Sequence, residues 1–110
     1  MPKFAFFFTL TPQTVKRMMD NPSDRAAVVS KLMEQQGGRL EGYYFMFGEH
    51  DGMVIADLPD AQSAASASLA VSSTGAFGHL ETHQLFTSEE VGPLMERARQ
   101  AGGQYTPPGA

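Results

Sequence analysis

Apolar residues along this chain switch between the two periods of regular secondary structure. Lys3–Leu10 (KFAFFFTL) is a short, Phe-rich run that is apolar at nearly every position, which predicts a strand buried on both faces. Thr11 and Pro12 then supply an N-cap and a first-turn proline, and Val15, Met18 and Met19 form a stripe at helical spacing. Asn21-Pro22 breaks that helix, because the residue before proline disfavours helical angles. Ser23 is placed to cap a second helical stretch, Asp24–Gln36, with Ala27, Val28, Leu32 and Met33 on one side and Gly37-Gly38 as its stop. Gly42–Pro59 (GYYFMFGEHDGMVIADLP) holds two β-rich stretches around a Gly/Asp turn, an antiparallel hairpin of Arg39–Phe47 and Met53–Leu58. Asp60 caps a helix over Ala61–Ser73 whose small side chains let it lie close to a sheet. Gly75–Phe86 reads as a fourth strand, and Thr87 with Glu90 has the spacing of a capping box. Pro93 predicts an interruption, with the last helix restarting there and running to Gln100. One domain over residues 1–101 and a flexible tail over 102–110 complete the reading.

The order β-α-β-β-α-β predicts an α+β, ferredoxin-like sandwich: a four-stranded antiparallel sheet with its helices on one face. Phe7, Tyr43, Phe45, Met53 and Ile55 are assigned to the other face. A solvated sheet face alternates towards polar residues and this one does not, so a second sheet is expected to cover it. The expected state is a homodimer or higher oligomer through the open sheet face, closing a dimeric α+β barrel.

Composition narrows the choice of function. With 42% apolar and 18% charged residues the chain has the make-up of a folded domain, not of a disordered one. A net charge of −4 with scattered Lys and Arg gives no footprint for nucleic acid or an anionic membrane. The absence of cysteine removes disulfides, thiolate nucleophiles and thiolate metal sites. No apolar run approaches the ~20 residues that span a bilayer. The N-terminal apolar run is short, aromatic and without a cleavage motif, so it reads as a strand and not a signal peptide, and a cytoplasmic location is the default.

The densest chemistry is His79-Leu80-Glu81-Thr82-His83. Residues two apart on a strand share a face, so His79, Glu81 and His83 point the same way. They form either a polar wall at the barrel mouth or a general acid/base site. At ~3.3 Å per residue His79 and His83 lie about 13 Å apart, too far to share one ion, and no metal or cofactor is expected. A His beside a carboxylate is suited to proton transfer near neutrality. Glu49-His50-Asp51 is a second candidate, although Asp51-Gly52 is also favourable turn chemistry. Tyr43 and Tyr44 face opposite ways, one into the core and one into the seam. Phe7, Thr9, Tyr43, Phe45, His50, Asp51, His79 and Glu81 are thus the expected lining of a pocket for a small apolar or aromatic ligand.

Residues 2–90 resemble the GYD-domain family of small dimeric α+β barrel proteins. The likeness rests on PKFAFFFTLTPQTVK, on GGRLEGYYFMFGEHD and on the late THQLFTSEE. The naming motif reads Gly-x-Tyr-Asp; this chain has Gly48-Glu49-His50-Asp51, so the turn carries over and a role of the Tyr hydroxyl does not. Barrels of this wider type include cofactor-independent monooxygenases, haem-handling proteins and stress-responsive proteins. The resemblance therefore implies the fold and leaves three functions open: a small-molecule binding or sensing module, an oxygenase or isomerase using His/Glu acid–base chemistry, or an assembly protein.

Overall fold

The computed structural model describes all of residues 1–110. Its elements are β1 (Lys3–Leu10), α1 (Pro12–Asp20), α2 (Arg25–Gln35), β2 (Arg39–Phe45), β3 (Gly52–Asp57), α3 (Ala61–Ser72), β4 (Phe77–Leu85) and α4 (Ser88–Gly102). The four strands form one antiparallel sheet in the order β2-β3-β1-β4. That order puts the two halves of each β-α-β unit on either side of a shared centre, the ferredoxin-like α+β arrangement the periodicity predicts.

The helix-side face of the sheet is the core. Phe4, Phe6 and Phe8 of β1 and Val54 and Ala56 of β3 meet Leu58, Met33 of α2 and Ala64 and Ala67 of α3. Each buried Phe contributes about 1.5–3 kcal/mol relative to exposure. From α3 only the two alanines are fully buried, so the helix rests close on the sheet while the strands supply the bulk. Gly52 permits a close approach: a Cβ there would lie 2.2 Å from the Phe8 ring.

The ends of several elements differ from the sequence reading. Asp24, not Ser23, caps α2 by accepting the Ala27 N–H. β2 stops at Phe45, and one further bond, from the Met46 N–H to the Asp51 carbonyl at 2.9 Å, closes the hairpin before its turn. β4 starts at Phe77, after Gly75 takes a left-handed φ of 77°. α4 runs unbroken through Pro93; the single lost bond, to the Glu89 carbonyl, falls in an exposed turn open to solvent.

A bulge in β2 changes which residues face where. Leu40 pairs with Ala56 but Gly42 pairs with Ile55, leaving Glu41 as the extra residue. Strict alternation from Leu40 would put Tyr43 and Phe45 on the open face. The bulge reverses the parity, so Tyr43 and Phe45 pack with Phe8 on the helix side, at 5.7 and 6.2 Å between ring centroids. Tyr44 takes the open face instead, opposite Met53.

α4 buries none of its residues. It gives the molecule a long axis of 58 Å against a shortest of 23 Å, and a radius of gyration of 17.6 Å. A compact chain of this length would have about 13 Å. Its capping box, Thr87 with Glu90, is fully formed.

Candidate functional site

The open sheet face has three zones. Its centre is apolar, built from Ala5, Phe7, Met53 and Ile55 with Tyr44 beside them. One end is an ion network in which Lys3 bridges Glu41 and Asp57, at 2.9 Å for the latter, and Arg39 reaches Asp57 at 3.3 Å. Glu41 is the bulge residue. The Lys3 ammonium holds the Asp57 carboxyl below its ordinary 3.8, with burial opposing and Arg39 assisting.

The other end carries the histidines. The register of β4 on β1 sets His79 opposite Thr9, Glu81 opposite Phe7 and His83 opposite Ala5, so all three share the open face as their spacing predicts. His50 joins them from the β2–β3 turn. Two hydrogen bonds pin that turn over the end of β1: the Asp51 N–H donates to the Phe8 carbonyl at 2.8 Å, and the Leu10 N–H donates to Asp51 Oδ2 at 2.7 Å. The Thr9 hydroxyl adds a longer bond to the Glu49 carbonyl. His50 thereby crosses β1 to reach β4.

All three histidines of the chain converge on one carboxylate. His50 Nε2 and His79 Nε2 approach Glu81 Oε2 at 3.3 and 3.2 Å, and His83 Nε2 approaches Oε1 at 3.2 Å. The Phe7 ring lies 5.4 Å from the His50 ring and 5.8 Å from that of His83, while His50 stacks on His79 at 6.5 Å. His50 is the most enclosed of the three, with 19% of its side chain exposed against 61% for His79 and 54% for His83. The His50 Nδ1 is buried without any hydrogen-bond partner. Such an orphan costs about 1–3 kcal/mol.

The hydrogen bond from His83 is the main cause holding the Glu81 carboxyl below its ordinary 4.5; partial burial opposes it, and His79 and His50 reinforce it. Glu81 is therefore ionised throughout the neutral range. Each imidazole presents Nε2 to it, so the Nδ1 atoms of the exposed His79 and His83 can exchange protons with a ligand while Glu81 stabilises the imidazolium. No three His, Asp or Glu side chains are disposed to share a metal ion.

Of the expected pocket residues, the fold thus brings Phe7, Thr9, His50, His79 and Glu81 together. Asp51 lies beneath them as the clamp of the turn. Tyr43 and Phe45 are corrected to the opposite face, for the reason of the bulge. Tyr44 and the Lys3–Asp57–Arg39–Glu41 network were not foreseen, and the register shift that creates both leaves no mark in the pattern.

A ferredoxin-like α+β domain with three histidines gathered on one carboxylate at an open sheet face is the class that fold and site define. The chain belongs to the GYD-domain family: the model of that domain matches residues 4–95. Among solved structures it is similar to FFRP-DM1, at 11% identity and a TM-score of 0.53 over 78% of this chain and 100% of that one. It is also similar to an uncharacterized NIPSNAP domain protein from Burkholderia xenovorans, at 15% identity and a TM-score of 0.45 over 80% and 95% of the two chains. MupZ from Pseudomonas fluorescens is similar at 16% identity and a TM-score of 0.42 over 99% and 97%. The likeness to FFRP-DM1 is one of fold alone. No curated protein matches the sequence, and no helix is long and apolar enough to cross a membrane.

Proposed function

We propose that the protein is a cytoplasmic homodimer that binds a small apolar or aromatic ligand between two open sheet faces, with the His50–Glu81–His79–His83 cluster reading a polar group on that ligand. The observation that carries this reading is the convergence of three imidazoles on one ionised carboxylate beside an otherwise apolar sheet centre. An apolar wall supplies affinity, and a few convergent polar groups supply orientation.

A second reading is a cofactor-independent oxygenase or isomerase. The pairing of exposed imidazoles with a carboxylate held ionised favours it, because that is the arrangement of an oriented general base.

Native mass spectrometry of the purified protein, before and after denaturation, tests the assembly and the ligand together. A dimer carrying an extra mass that is lost on denaturation is the expected result. A bare monomer at micromolar concentration would overturn the proposal. If a ligand is retained, Glu81→Gln separates the readings: loss of turnover with binding kept is the enzymatic outcome.

A further inference from the structure

A large concavity lies on the other side of the sheet, away from the histidines. It is a cleft of about 800 Å³ between α1 and α2 on one flank and α3 on the other. Phe6, Phe8 and Val54 form its floor, Leu32 one wall and Val71 the other. The volume falls within the roughly 300–1,000 Å³ of ordinary small-molecule sites. The cleft stays open because α1 buries none of its residues and Val28 of α2 is half exposed along the edge.

Its charge is one-sided. Of 26 lining residues three are basic, Arg17, Arg25 and Lys31, and none is acidic. That imbalance runs against the chain as a whole, in which 12 acidic residues outnumber 8 basic ones. None of the three cations has an ion-pair partner; the Lys and Arg residues that do are Lys3, Lys16, Arg39 and Arg99. Arg25 is half-buried and stands beside the Tyr43 hydroxyl, whose pKa burial raises above 10.0 and Arg25 draws back. A guanidinium turned inward over an aromatic floor, with two more cations and no counter-charge, is complementary to an anion that carries an apolar tail.

We propose that this cleft binds a small amphipathic carboxylate, its tail on Phe6, Phe8 and Leu32 and its charge held by Arg25 with Lys31 and Arg17. The site is separate from the histidine cluster, on the opposite face of the same sheet.

Decanoate is the probe, with decanol as its uncharged counterpart, titrated into the intact protein by calorimetry and followed by amide shifts in NMR. Decanoate is expected to bind at least tenfold more tightly than decanol, with shifts confined to α1, α2, α3 and Tyr43. Arg25→Gln and Lys31→Gln are each expected to weaken decanoate at least fivefold and to leave decanol unchanged. Lys31 is exposed, so its variant keeps the test valid if the Arg25 variant fails to fold. Equal binding of the two probes would overturn the proposal, as would shifts centred on Phe7 and Glu81. Intermolecular contacts between the Met95 methyl and Leu32 would also overturn it, by showing that α4 of a second copy fills the cleft.

Discussion

Asp51 closes the Gly48-Glu49-His50-Asp51 turn, and the structure gives its carboxylate a mechanical task. Its Oδ2 accepts the Leu10 N–H at 2.7 Å in a partly buried position, next to the irregularity between Thr9 and Leu10 where β1 and β4 change register. Asp51→Ala removes a charge-assisted hydrogen bond and leaves a backbone donor without its acceptor. A bond of that kind is worth about 1.5–3 kcal/mol, so a loss near 2 kcal/mol is expected. In a domain of this size that lowers the thermal midpoint by about 10 °C. Asp51→Asn keeps an acceptor oxygen and is expected to lose about half as much. Circular dichroism melts at one fixed protein concentration measure both, the fixed concentration removing any contribution from assembly. An Ala variant within about 0.5 kcal/mol of the parent would refute the clamp. So would Asn and Ala variants of equal stability, since the acceptor would then be irrelevant.

Gly52→Ala places a methyl 2.2 Å from the Phe8 ring and 2.8 Å from the Tyr44 carbonyl; chemical denaturation should show a loss of about 1–3 kcal/mol from overpacking. Thr87→Ala breaks the capping box of α4, a change of about 1 kcal/mol in that helix. Because α4 buries nothing, helical ellipticity should fall while the midpoint of the main transition stays in place. Glu81 and Asp57 are held below 4.5 and 3.8, so their stabilisation is complete above those values and fades as pH falls through the folded-state values beneath them. Melts taken across pH 5 to 2 should show that decline, and Glu81→Gln should make it shallower.

The strands and helices were legible because each keeps one period over its length. The three Phe residues of β1 that point inward, the alanines of α3 and the capping box of α4 all sit where simple alternation or helical spacing puts them. The shared face of His79, Glu81 and His83 was legible for the same reason. What failed was long-range. His50 reaches Glu81 only because Asp51 folds the turn across β1 through its bond to Leu10, 41 positions away. Tyr43 and Phe45 were misplaced because the bulge at Glu41 is set by a pairing partner and not by the β2 sequence. The continuity of α4 through Pro93 depends on solvent reaching one carbonyl, which local propensity does not report.

The bulge at Glu41 also sets how this protein can change by insertion and deletion. Removing that one residue would join Leu40 to Gly42 in the pairing they already hold, opposite Ala56 and Ile55, and leave Tyr43 and Phe45 inward and Tyr44 outward. Lys3 would lose one of its two carboxylate partners in the same event. The bulge thus gives β2 one residue to spare: a single-codon deletion there would keep both faces of the sheet, whereas the same deletion within β1, which pairs with β3 without a bulge, would carry its inward Phe residues to the outer face.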